Sequence, residues 1–460
     1  MQFVKQGLVV ATLVAMIVAS SCKKNDVADG LAPTPAGPPP AAGNLTDALK
    51  DSALAYSRDI YLWYNQIPAS FDARSYDDLG KIMTAIRQYS TEPGFTGPVD
   101  RWSFAVKQQE WDNVSAGIAG DFGINVFFRQ EGDLRVRSVE KASPAGLAGV
   151  RRGWRIVKLN GSTNITTANS NSIVEAVYGS NSTAFGFQKP DGTTVDLTLN
   201  AGTYQENPII LDSVYTVSSR KIGYFAFNSF LGDTTRVYSE FSRIFSRFAS
   251  SGVNDVVIDL RYNGGGYVTM QQKLANWLAP ASANGQLMMT QQFNNKYTNF
   301  NSTDYFSKLG SLNLGRIFFI VSSSTASASE LLINNLKPYM NVQLVGPSKT
   351  YGKPVGYFPI EVGDWYIFPV SFRSTNKNGE GNYFNGLALN SQSADGLDKD
   401  WGDLTEASLQ TVVNYITTGA YRSQSANERD AYRAQQEVSS GNRVLDASHF
   451  KGAIDLRKRK

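Results

Sequence analysis

The chain of 460 residues holds one cysteine and one histidine. With Cys22 alone, an internal disulfide and a thiolate metal cluster are both excluded. With His449 alone, a zinc site built on several histidines is excluded too, and a Ser-His-Asp triad would have to draw on this residue from a polar region. Charge of either sign is sparse in net terms. The formal balance is +4, and Lys and Arg are scattered rather than blocked, apart from Arg457, Lys458, Arg459 and Lys460. No nucleic-acid footprint results, and the terminal basic run reads as a solvated end. The apolar run Gly7 to Val18 is too short for a comfortable membrane span. Hydrolytic chemistry here must find a base other than histidine, and no metal or cofactor is implied.

What is present begins with an address. Residues 1–21 read as a signal peptide, with Lys5 as the positive start and Ala19-Ser20-Ser21 as the small residues before Cys22. The arrangement resembles a bacterial lipobox, which implies lipid on Cys22 and a tethered protein of the cell envelope, facing the periplasm or the cell surface. Residues 22–44 form a linker with Pro33, Pro35, Pro38, Pro39 and Pro40. Such a segment favours extended polyproline geometry at ~3 Å per residue.

The length allows two or three domains, and a hydrophobic content of 42% is enough to give them cores. Residues 45–104 read as helical, with Leu49, Leu54, Ala55, Ile60 and Leu62 near helical spacing and a second amphipathic segment from Tyr76 to Tyr89. Residues 113–202 turn to short β-runs separated by signals such as Asn160-Gly161 and Asp191-Gly192. Residues 209–419 read as α/β. Val256 to Leu260 and Ile317 to Val321 are continuous apolar runs, as strands covered on both faces require, and Thr235 to Phe248 is an amphipathic helix. Leu404 to Ile416 reads as a late helix, and residues 420–460 as a polar, loosely ordered tail.

Chemistry concentrates in three places. The run Ser322 to Glu330 links a strand to a helix, and a small-residue turn there lets a substrate backbone approach while the helix start offers N–H groups to an oxyanion. Ser327-x-x-Glu330 is equally the pattern of a helix capping box. Asn263-Gly264-Gly265-Gly266 follows a buried strand and can form a nest of N–H groups, although most glycine triplets are only loops. Tyr351-Gly352-Lys353 places a lysine between apolar neighbours, where most such lysines are surface charges.

Two resemblances organise these pieces. Ser143 to Val150 followed by Gly153 to Gly161 resembles the PDZ signature, with Trp154 where Asp is usual, and Phe122, Gly123 and Ile124 stand where a PDZ domain holds a peptide carboxylate. Leu260 to Gly266, Thr325 to Glu330 and Tyr351 to Lys353, in that order behind a PDZ-like segment, resemble the tail-specific, or carboxyl-terminal-processing, serine proteases. The resemblance implies an α+β multidomain chain: a helical N-terminal region, a PDZ-like domain and a mixed α/β protease domain of crotonase-like/ClpP-like type. It implies an endopeptidase with Ser327 as nucleophile, Lys353 as general base, and an oxyanion hole at Gly264, Gly265 and Ala328. Protein or peptide substrates, selected through their C-termini, are the implied partners.

A lysine serves as base only when neutral. At its ordinary pKa about one in 2,500 is neutral at pH 7, and lowering that pKa by ~3 through burial costs about 4 kcal/mol. Lys353 is therefore expected to be buried and near Ser327. Family members often carry a Gln four residues after the lysine. Here Tyr357 occupies that place as the candidate orienting residue, which leaves open a catalytically silent, PDZ-based peptide-binding scaffold.

Overall fold

The computed structural model describes residues 46–445 and 452–456. The signal peptide, Cys22, the linker, His449 and the terminal basic run lie outside the described residues.

A six-stranded sheet stands at the centre, in the order Ser391–Gln392, Asn341–Gly346, Arg316–Ile320, Asp255–Asp259, Arg220–Phe227 and Ile209–Val217. Neighbours are parallel except for the last pair. Side chains alternate along a strand. Val256, Ile258, Ile317 and Phe319 accordingly join one core, and Val257, Phe318 and Ile320 join another on the opposite face. The continuous apolar runs in the sequence are thus two interleaved half-runs, each with its own cover. The first core is closed by the helix Thr234–Ser250, whose Val237, Phe241, Ile244, Phe245 and Phe248 are buried. Asp233 starts that helix by accepting the N–H groups of Thr235 and Arg236 at 2.9 and 3.1 Å. The second core is closed by the helix Ala407–Thr418 through Leu409, Val412 and Ile416.

Residues 124–200 carry a five-stranded antiparallel sheet in chain order, with Ile124–Gln130 at one edge. Its core includes Phe122, Val126, Phe128, Val136, Phe185 and Phe187.

Two expectations need correction. The N-terminal segment has helices at Asp47–Ile60 and Leu79–Ile86, but no core of its own. Ala53, Tyr61, Ile82 and Met83 share one cluster with Val355, Tyr357, Ile367 and Phe368, because an 8-residue helix and a 14-residue helix bury too little apolar area alone. The described residues of the C-terminal region form helices at Ala426–Glu437 and Ser439–Leu445 and a strand at Gly452–Ile454. Four apolar anchors explain this. Val438 and Leu445 enter the core of the five-stranded domain, and Ala453 and Ile454 enter those of the larger body.

Candidate active site

The strand Arg316–Ile320 ends in a turn that leads into the helix Ala328–Leu336, every residue of which is buried. The turn is tied to the loop after the neighbouring strand. Thr325 Oγ1 donates to the Leu260 carbonyl at 2.8 Å, Ala326 N–H donates to the Asn263 carbonyl at 3.0 Å, and Ser329 Oγ donates to the same carbonyl at 3.1 Å. Tyr351 N–H donates to the Thr325 carbonyl at 2.9 Å. The three chemistry-bearing segments therefore meet at one place.

Ser327 sits at the start of the buried helix with φ 58° and ψ −110°, a conformation that side-chain-bearing residues seldom adopt. It is 1% exposed, and its Oγ has no hydrogen-bond partner among the described residues. A buried hydroxyl without a partner is costly to a fold. Together with the backbone strain it marks a position held for something other than stability.

Lys353 is also 1% exposed. Burial pushes its amine well below the usual lysine range, against the pull of the Asp100 and Glu330 charges and with help from Arg87. Its Nζ lies over the face of Tyr357, 3.5 Å from the ring centroid. Tyr357 thus meets the amine with its ring face.

Glu330 links the two. Its Oε2 accepts the N–H groups of Ser327 and Lys353, both at 2.8 Å, and its Oε1 accepts Gly352 N–H at 2.7 Å and Thr350 Oγ1 at 2.6 Å. One buried carboxylate thereby holds the backbones of both segments. Burial pushes this carboxyl above its ordinary range, and the donated hydrogen bonds oppose the rise. Ser327 Oγ accepts no hydrogen bond from Lys353 Nζ in this state, and such contacts often close only with substrate present.

Residues 221–387, which contain Ser327, Glu330 and Lys353, match the profile of peptidase family S41. The chain thus contains a segment similar to peptidase family S41. A "Probable CtpA-like serine protease" of Staphylococcus saprophyticus is 26% identical over 264 residues, 56% of this chain and 50% of the relative. Its Staphylococcus aureus counterpart is 26% identical over 264 residues, covering 56% and 49%. The chain spans about half the length of the curated relatives it matches. Among solved structures, a Bacteroides fragilis protein assigned to the S41 proteases superposes with a TM-score of 0.65 at 22% identity, covering 80% of this chain and 97% of that one. That likeness speaks to the fold.

Within the S41 segment the oxyanion donors expected from sequence separate. Gly265 N–H donates to Asn263 Oδ1 at 2.9 Å and is not available to an oxyanion; a two-residue Asx turn has taken it. Gly264 N–H has no acceptor among the described residues, and Ala328 N–H opens the helix, where no intrahelical acceptor exists. The peptide-binding loop expected at Phe122, Gly123 and Ile124 has the following surroundings. Phe122 and Ile124 point into the core, and Gly123 N–H donates to Asp121 Oδ1 at 2.6 Å. Glu140 stands nearby. Its own carboxyl is pushed up by burial and by the Asp121 charge, against the N–H of Asn207. A terminal carboxylate would meet like charge there.

The sequence gives no sign that Glu330 ties the two segments of this candidate site together. The Ser-x-x-Glu spacing was the available signal, and it read as a helix cap. Asp100 and Arg87 gave no local signal, because they reach Lys353 only through the fold. A cavity of about 990 Å³, lined by Trp102, Ser324, Tyr351, Tyr357, Phe128 and Asn442 among others, lies between the five-stranded sheet's edge and the S41 site. Ser327 and Lys353 are not among its lining residues.

Proposed function

We propose that this chain is an exported serine endopeptidase of the cell envelope, tethered through Cys22, that cleaves protein or peptide substrates with Ser327 and neutral Lys353. The observation that carries the reading is the strained, buried Ser327 with its unpartnered hydroxyl, held through Glu330 to the backbone of a lysine that burial drives toward neutrality. With substrate bound, the Lys353 amine takes the Oγ proton as Oγ bonds to the scissile carbonyl carbon. The oxyanion receives N–H groups from Gly264 and Ala328. Collapse expels the amine product, which leaves with the proton carried by Lys353, and water then resolves the acyl-enzyme by the same route. The five-stranded domain takes the PDZ-like role, and the central sheet with its helices the crotonase-like one. Because Asp121 and Glu140 oppose a terminal carboxylate, the edge strand Ile124–Gln130 is the better candidate for holding substrate, as an added strand.

The silent-scaffold reading has one observation in its favour. An amine over an aromatic face is favoured as the cation, and a cationic Lys353 has no lone pair with which to accept the Ser327 proton. Comparing wild type with Ser327→Ala on an unfolded protein decides between them. Cleavage by the wild type and none by the variant is expected; equal rates, or no cleavage by either, would overturn the protease reading.

A further inference from the structure

The two surfaces that a peptide chain would need are already filled from within, and we propose that the C-terminal region is an internal occupant of the substrate path, displaced before Ser327 reacts. The inference rests on the serine-peptidase reading above.

The first surface is the edge strand Ile124–Gln130. An edge strand presents unpaired N–H and C=O groups to any extended chain. Here Phe128 N–H donates to Asn442 Oδ1 at 2.6 Å, and Asn442 Nδ2 donates to the Phe128 carbonyl at 3.0 Å. A single side-chain amide thus supplies the donor and acceptor that a neighbouring strand would supply. Val126 N–H is taken in the same way by the Tyr178 hydroxyl at 3.0 Å. Val438 and Leu445 anchor the helix that carries Asn442 in the core behind that edge.

The second surface is a slot beside the nucleophile. Gly452–Ile454 runs parallel to Gly265–Tyr267, with Gly452 N–H donating to the Gly264 carbonyl at 3.0 Å. On its other side Tyr357 N–H donates to the Ala453 carbonyl at 3.1 Å, and Asp455 N–H donates to the Tyr357 carbonyl at 3.2 Å. Each wall has a glycine where the strand comes close, Gly265 on one side and Gly356 on the other, before Tyr267 and Tyr357 flank Ile454. A Cβ on Gly265 would stand 2.5 Å from the Gly452 carbonyl oxygen, and one on Gly356 would stand 2.9 Å from that of Ala453. The same point at Gly265 lies 3.0 Å from Ser327 Cβ. The slot is shaped for the main chain of an extended peptide, and its present occupant carries a carbonyl to the nucleophile's side. Asn442 also lines the cavity that joins the edge strand to Tyr357, so one region of the chain caps the edge, walls the passage and fills the slot.

A permanent structural strand and a displaceable occupant make opposite forecasts. Loosening the former lowers reactivity; loosening the latter raises it. A tethered occupant competes at high effective concentration, and one that holds the path in nine of ten molecules slows reaction about tenfold.

The test uses the full chain as wild type, Asn442→Ala and Ile454→Asp, with folding checked by thermal melting. The readout is the rate at which a fluorophosphonate probe labels Ser327. We expect Asn442→Ala, which lies away from the reacting atoms, and Ile454→Asp to label about tenfold faster or more. A synthetic peptide of residues 440–456 should slow them again. Folded variants that label no faster than wild type would overturn the occupancy and leave the serine reading intact. Should Ile454→Asp unfold, Asn442→Ala alone decides. No labelling of any of the three proteins would overturn the serine reading, and the occupancy with it.

Discussion

At Lys353 burial and chemistry pull the same way, and stability pays. The amine lies well below the ordinary lysine range when folded, through burial first, and returns to that range when the chain unfolds. Folding therefore releases a proton between those two values, and stability rises with pH across that window; below the folded value the full cost of enclosing a cation is present. Lys353→Met removes this cost. We expect it to abolish cleavage and to stabilise the protein near neutral pH by on the order of 1 kcal/mol, a few degrees in Tm. The gain should shrink as the pH of the melt is raised. A variant less stable than wild type at every pH would mean that the lysine is held as a satisfied cation. The pH-rate profile of the wild type should rise through one ionisation below the ordinary lysine range. The sequence made the burial of Lys353 legible, since Tyr351, Pro354, Val355 and Tyr357 surround it. The loss of Gly265 as an oxyanion donor was not legible, because nothing in Asn-Gly-Gly-Gly says which N–H the asparagine side chain will take.

The start of the helix Ala328–Leu336 is more than a capped end. Glu330, three residues past Ser327, accepts two hydrogen bonds on each oxygen, and three of the four donors belong to the segment of the lysine. A glutamine has one acceptor oxygen and one donor nitrogen, so Glu330→Gln sets N–H against N–H on one side. We expect a loss of roughly 2–4 kcal/mol in stability. In the fraction that remains folded, kcat should fall while KM changes little, because the reacting groups separate while the edge strand is untouched. Urea unfolding and steady-state kinetics on the same preparation check both. A variant with wild-type kcat would show that Glu330 only caps its helix. The strands and helices of the central sheet were legible by period alone, as Val256–Ile258 and Phe241–Phe248 illustrate. The C-terminal helices and strand were not, because Val438, Leu445, Ala453 and Ile454 are too few and too far apart to lift a polar stretch above the look of a solvated tail.

Across the molecule, the five-stranded domain is held to the larger body by a buried ion network. Arg152, from the domain, pairs with Asp395 at 2.9 Å. Arg261 pairs with the same carboxylate at 2.9 Å and with Asp259 and Glu406 at 2.7 and 2.8 Å. Tyr262, beside the glycine loop, donates to Asp395 Oδ2 at 2.5 Å. Burial pushes the carboxyls of Asp395 and Glu406 up, but the arginines overcome it and hold both below their ordinary range. Depressed carboxylates stabilise the fold above their unfolded pKa values, about 4, and that contribution is lost as pH falls through the folded values. Arg152→Met lets Asp395 rise, so acid unfolding should begin at a higher pH than in wild type. At neutral pH we expect a cost of about 3–5 kcal/mol from the stranded charge. Tryptophan fluorescence followed down in pH checks the order; coincident curves would show that the network is not an acid-sensitive joint. The fold has one more consequence. Ala53, in the first helix, and Ile454, in the last strand, belong to a single apolar cluster that also contains Tyr357. Contacts so distant along the chain form late and slowly. During synthesis this cluster stays incomplete until residue 454 has been made, and until then its apolar side chains lack their final cover.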